Sequence, residues 1–208
     1  HKLNDLYWHT GFSRAKISVY LKNLMELELV EKVFSFDTEG KANSQKGIYR
    51  ISNHFVHFYF RFLYPNRSAL ALMSADEFYE KNIQFSFKNF AALYFNEICK
   101  QRIEKWNQEE KLPIVIDRIG EWVGKSGNID VVAQDENGKT LAAYCNWEKS
   151  VMQYGDYEKL LSSMGKAKLK ADTIYLFSIQ RFDEKLSLEA KMKKNLKNTI
   201  FEVLTTDL

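Results

Sequence analysis

Between Gly127 and Trp147 the chain reads Gly-Asn-Ile-Asp-Val-Val-Ala-Gln-Asp-Glu-Asn-Gly-Lys-Thr-Leu-Ala-Ala-Tyr-Cys-Asn-Trp, and Asp130 is the residue in it best suited to chemistry. Its carboxylate opens a Val-Val-Ala run whose neighbours favour burial, so it needs a cation, a hydrogen-bond donor or an exit to water. On its residues alone the position reads as a strand-edge carboxylate paired with a nearby Lys. The Asn-Gly inside the acidic cluster at residues 135–139 lies between β-branched and apolar runs, which predicts a two-stranded antiparallel hairpin. Strand alternation then puts Tyr144 and Asn146 on one face, the side to which Asp130 is expected to project, with Glu148 at the same parity.

The frame Asn128-Ile129-Asp130 and Tyr144-Cys145-Asn146-Trp147 resembles the core motif of the PD-(D/E)xK nuclease-like domain at the C-terminus of a family of prokaryotic NTPases, the archaeal-type ATPases with a DUF234 tail. In that family the first strand reads Glu-Ile-Asp and the second Glu-Cys-Lys-Trp. The resemblance implies metal-assisted phosphodiester hydrolysis, with two carboxylates holding Mg²⁺ and a Lys orienting or deprotonating the attacking water. Tyr144 offers no carboxylate and Asn146 no charge, and Asp130 alone is a weak Mg²⁺ ligand. The expectation is an inherited catalytic position that no longer catalyses. The alternative is a migrated site: Asp130 as metal ligand, Glu97 on the preceding helix where this fold places an extra acid, Glu148, and Lys159 or Lys166 as the replacement cation.

The elements that position these residues follow from periodicity. A helix over residues 86–106, capped by Ser86, carries Phe87, Phe90, Ala91, Tyr94 and Ile98 inward with Glu97 at the edge of that face. Strands are predicted at 114–122, 128–134 and 140–146, a helix at 156–170, a strand at 173–179, a helix at 184–197 and a last strand at 199–204. This order fits an α/β restriction-endonuclease-like domain, a mixed sheet with helices on both sides, over residues 66–208. Lys159, Lys166, Lys168 and Lys170 line a helix that could follow a nucleic-acid backbone, although a solvated face is the default.

Residues 1–65 read differently. Gly11 suits the left-handed turn between two helices and Ser13 caps the second, in which Ile17, Tyr20, Leu21, Leu24 and Leu27 recur at helical spacing. A strand at 30–36, a polar loop at 37–46 and a strand at 47–51 complete a winged helix-turn-helix. Arg14, Lys16 and Lys22 are the expected helix contacts to DNA phosphates, with Lys41 and Lys46 on the wing. Glu26, Glu28 and Glu31 dilute that basic face, and such modules also serve as docking or lid elements in NTPases. The aromatic helix at 53–64 is expected to end at Pro65 and to pack the two domains together. His54 and His57 lack a third ligand nearby in sequence and make no convincing metal pair.

With 208 residues the chain is long enough for two modest domains. Ten Lys and Arg face six Asp and Glu in residues 1–67, against 20 and 21 in the remainder, so the basic excess sits where a nucleic acid is expected. Cys99 and Cys145 stand far apart without a C-x-x-C, which suggests neither a disulfide framework nor a zinc site and points to a reducing, cytoplasmic setting. No apolar run is long enough to cross a bilayer, so no membrane partner is expected. Gly124-Lys125-Ser126 lacks the preceding glycine of a P-loop, and ATP is expected only in an N-terminal ATPase portion outside this segment. The chain opens as if in the middle of a helical domain, the start of a fragment. Three functions follow: a nucleic-acid-binding module, a metal-dependent DNA nuclease, or a docking domain that regulates its own ATPase portion.

Overall fold

A computed structural model describes residues 1–38, 47–124, 127–147 and 151–200. The chain separates into two compact units, His1–Lys88 and Asn89–Leu208.

In the first unit, α1 (Leu3–Thr10) ends at Gly11, whose φ of 69° lets its N–H reach the Tyr7 carbonyl. Ser13 caps α2 (Arg14–Glu26) by accepting from the Lys16 N–H at 3.3 Å. β1 (Val30–Phe34) then pairs antiparallel with β2 (Gly47–Ile51), from Val30 opposite Ile51 to Phe34 opposite Gly47. Of the α2 residues expected inside, only Ile17 and Leu21 are buried; Tyr20, Leu24 and Leu27 are exposed, Leu27 by 66 %. The periodicity is helical, but the apolar stripe is wider than what the unit covers.

The aromatic segment does not stop at Pro65. It runs from α3 (His54–Phe58) through a π-turn (Tyr59–Leu63) and a 3₁₀ turn (Tyr64–Asn66) into α4 (Arg67–Leu72). The π-turn before the proline and the 3₁₀ turn that holds it stand in place of regular α-helix there, and the Asn66 side chain donates to the Phe62 carbonyl at 2.9 Å. Ser74 caps α5 (Ala75–Asn82), whose Phe78 is buried.

The helix predicted over 86–106 is two helices, α6 (Gln84–Ala92) and α7 (Phe95–Gln108), so Ser86 lies inside α6 and is not a cap. Between them the Leu93 and Tyr94 N–H groups bond three residues back, to Phe90 and Ala91, and the tightened turn ends the first ladder.

The second unit is built on a mixed five-stranded sheet. Its strands are β3 (Arg118–Val123), β4 (Asn128–Gln134), β5 (Thr140–Asn146), β7 (Thr173–Ser178) and β9 (Leu196–Ile200), in that spatial order. The pairs β3–β4 and β4–β5 are antiparallel, and β5–β7 and β7–β9 are parallel. The crossovers carry α8 (Tyr154–Ala167) and α9 (Glu184–Met192), and two short strands, β6 (Val151–Met152) and β8 (Arg181–Phe182), pair parallel beside them. The first strand starts at Arg118 rather than 114, and the last at Leu196 rather than 199. Val131, Ala133, Leu141, Ala143, Tyr175 and Phe177 pack one sheet face against Phe95, Cys99 and Ile103 of α7.

Candidate functional site

The position of Asp130 depends on an irregularity between β3 and β4. Gly120 pairs with Val132 but Trp122 pairs with Ile129, so three steps along β4 oppose two along β3, and the extra residue falls at Asp130 and Val131. A bulge of this kind breaks the alternation and re-aims a side chain. Asp130 therefore turns to the α7 side of the sheet, where Asn96 Nδ2 donates to its Oδ1 at 3.0 Å. The other oxygen accepts the Cys145 N–H at 2.8 Å, beyond the last β4–β5 pair at Val131 and Ala143. The carboxylate thus takes the place of a ladder acceptor for β5.

This geometry corrects the expected alignment of the hairpin. Tyr144 and Asn146 alternate with Ala143 and Cys145, which pack toward α7, so they lie on the opposite face from the Asp130 carboxyl. Simple period-two parity had put all three together; the bulge reverses Asp130 relative to them.

Burial pushes the Asp130 carboxyl up to about 6, against the opposing pull of the Cys145 N–H and the Asn96 amide, and the neighbouring Glu121 charge adds to the rise. Glu121 stands on β3 at the bulge, between the two shifted pairs. Nothing in the sequence singles it out, because only the strand register brings it beside Asp130.

The other expected site residues are dispersed. Glu97 follows the Asn96 that reaches Asp130; it accepts from Gln101 Nε2 at 3.5 Å, and its charge, after burial, helps raise the Tyr94 hydroxyl. Glu148 lies outside the described residues, as do Lys41 and Lys46 of the expected wing. Lys159 bonds the buried Asp156 at 3.2 Å, and Lys166 is exposed near the end of α8. Among the described residues no three His, Cys, Asp or Glu side chains are grouped so that they could hold a metal ion.

On α2 the expected DNA contacts are engaged within the chain. Arg14 Nε donates to Asn4 Oδ1 at 3.1 Å while its guanidinium sits 4.9 Å from the Tyr7 ring. The Lys16 ammonium lies 3.9 Å from the centre of the Phe12 ring, and Lys22 pairs with Glu26 at 3.7 Å. Exposed cation–π and ion pairs of this kind are each worth about 0.5–1 kcal/mol or less, so a phosphate could still compete for them. His57 is held below its ordinary value, first by burial and then by the Arg61 and His54 charges, which disfavours a charged role.

The two cysteines, distant in sequence, share one cluster: Cys99 of α7 is fully buried, and Cys145 of β5 packs against the same set of side chains. Burial first, then the Cys99 thiol and the Asp130 charge, pushes the Cys145 thiol well up.

Residues 59–160 match the family model DUF234, described as archaea bacterial proteins of unknown function. The chain is also similar to a protein described as "Uncharacterized protein MJECL04" from Methanocaldococcus jannaschii, 28% identical over 203 residues. That match covers 88% of this chain and 45% of the relative, so the chain spans less than half the length of the relative it matches. No solved structure matches it. Among the described residues no helix is long and apolar enough to cross a membrane.

Proposed function

We propose that the chain is a non-catalytic regulatory module of a longer protein, a winged helix-turn-helix followed by a restriction-endonuclease-like domain whose hairpin acid now serves the fold. The observation that carries this reading is the cradle around Asp130, in which both carboxyl oxygens accept hydrogen bonds from the chain itself. A nuclease needs that carboxylate free for a divalent cation, with further acids and an ammonium beside it. The described donors at Asp130 fit Mg²⁺ poorly: its carboxyl is largely desolvated and taken up by the Asn96 amide and the Cys145 N–H, and Tyr144 and Asn146 turn to the other face.

The partner we assign is an ATPase portion with its ATP, of the kind the resemblance implies. Two features support docking over catalysis. The relative has more than half its length outside the match, which leaves room for such a portion. In addition, Phe12, Val19, Tyr20 and Leu27 on and beside α2 are solvent-exposed, an apolar set suited to a protein surface.

Duplex nucleic-acid binding is the second reading. It is favoured by the Ser13-capped α2 leading into the β1–β2 hairpin, with Lys16 and Lys22 both exposed.

The deciding experiment combines three assays on the purified chain. Association with the ATPase portion supplied in trans, weak duplex affinity and no Mn²⁺- or Mg²⁺-dependent cleavage are the results expected. Cleavage that disappears in Asp130→Ala would overturn the non-catalytic reading. Duplex binding that weakens steeply with salt and with Lys22→Glu, together with no association, would replace docking by the nucleic-acid reading.

A further inference from the structure

We infer that the end of the second unit at which β5, β7 and β9 begin is a contact surface for the phosphate backbone of a nucleic acid, made by lysines of the segments 166–172 and 191–197. The inference stands apart from the docking reading, which it neither needs nor excludes.

It rests first on how charge is distributed. Asn89–Leu208 holds 18 Lys and Arg against 18 Asp and Glu, yet those two segments alone contain seven lysines and one acid, Asp172. The rest of the unit is left with 11 cations and 17 anions, so its charges are separated rather than interspersed. The one acid is itself occupied, since the Asp172 carboxylate accepts the Thr140 N–H at 2.8 Å.

The fold supplies the second observation. β7 and α9 lie between the two segments in sequence, but both segments lead into neighbouring parallel strands, with Leu141 opposite Thr173 and Ile174 opposite Leu196. The Ile174 N–H donates to the Asn195 carbonyl at 2.7 Å, which ties the two connections together at the strand starts. Lys166, Lys168, Lys170, Lys191, Lys194 and Lys197 are all exposed there, while Lys193 is paired with Glu189 at 2.6 Å. The lysine set expected from α8 alone is thereby redrawn. Lys159, in the first half of that helix, bonds Asp156, and residues from α9 and β9 join the end instead.

Helix dipoles account for only part of this set. Lys166 and Lys191 lie in the last turns of α8 and α9, where an ammonium offsets the carbonyl end. Lys168, Lys170, Lys194 and Lys197 lie past the last helical residues, where that effect falls away. Like charges gathered at one end repel one another, and a polyanion relieves the repulsion. Phosphates fit better than a bilayer, because the two segments expose one large apolar side chain, Met192, too little to anchor in lipid. Ammonium groups on flexible stems meet phosphates as point charges, so the contact carries no base sequence.

The test is fluorescence anisotropy of the whole chain with a labelled duplex of about 20 base pairs and arbitrary sequence, between about 50 and 200 mM NaCl. A Kd of about 10⁻⁴–10⁻⁶ M is expected, with a slope of log K against log salt of about −4. Combining Lys168→Gln, Lys170→Gln and Lys194→Gln should make that slope shallower by about 2–3 and weaken binding at least about tenfold at the lowest salt, with the thermal midpoint unchanged. The separate pair Lys191→Gln and Lys197→Gln should make it shallower by about 2. Lys22→Glu, in the other unit, should leave affinity within about twofold. Three results would overturn the proposal: no duplex affinity at the lowest salt, affinity that survives both sets of lysine substitutions or disappears in Lys22→Glu, and binding to phosphatidylserine vesicles or polyglutamate in place of duplex.

Discussion

The two units of the chain manage apolar surface in opposite ways. In the sheet unit Phe95, Ile103, Ile129, Leu141, Leu176 and Phe177 are all shielded from solvent to within 2 %. The buried set of the N-terminal unit, Ile17, Leu21, Phe36, Phe62, Phe78 and Ile83, is smaller, while Trp8, Leu27, Phe55, Leu72 and Phe85 stand exposed, Trp8 by 77 % and Phe85 by 96 %. A sheet covered on both faces can close its own core, whereas a short helix pair with a two-stranded hairpin has too little surface to do so. The lesson is that the sheet unit closes its own core, whereas the N-terminal unit leaves much of its large apolar surface uncovered.

Core truncation should break this comparison most visibly. Phe177→Ala removes a ring stacked on Tyr175 in the centre of the sheet cluster, and should cost about 3–5 kcal/mol in denaturant unfolding. Phe12→Ala, at an exposed site whose ring meets the Lys16 ammonium, should cost no more than about 1 kcal/mol in the same measurement. Equal losses would remove the distinction between the two units.

The next effect concerns pH. The Asp130 carboxyl titrates near 6 in the folded chain against 3.8 as its ordinary value, so the folded state binds its proton more tightly than the unfolded state does. Its contribution is fully present below about pH 4 and is lost as pH rises through 6, by at most about 3 kcal/mol. Asp130→Asn, with the Asn96 amide turned to present its oxygen, should flatten the thermal midpoint between pH 4 and 7. A variant whose pH profile matches the original would show that the carboxyl does not titrate as its surroundings dictate.

A smaller loss is expected from Asp183→Ala. This carboxylate caps α9 through the Leu186 N–H at 2.6 Å and also accepts the Tyr154 N–H at the start of α8 at 2.7 Å. Losing both acceptors should destabilise the sheet unit by about 1–2 kcal/mol, read by denaturant midpoint. Smallest of all, Lys22→Glu should change the stability of the N-terminal unit by less than about 0.5 kcal/mol, because its pair with Glu26 is exposed. Any larger effect of that substitution should appear in binding assays alone.

What the sequence determined by itself is the local part of this protein. Gly11 and Ser13 mark the helix-to-helix turn, the Asn-Gly turn fixes the β4–β5 hairpin, and the strands at 128–134 and 140–146 fall where alternation puts them. Each of these is settled by hydrogen bonds between near neighbours in the chain, so the residues that decide it are adjacent on the page. The candidate site was legible only as a hairpin with one acid. Its direction was decided by the pairing of β4 with β3, which inserts the bulge at Asp130, and by α7, which brings Asn96 and Cys99 to the same face. Tertiary structure also decided the continuation of the helical run past Pro65 and the break between α6 and α7. Strand register and helix placement come from shared burial between segments dozens of residues apart, and no local pattern in any one segment contains them.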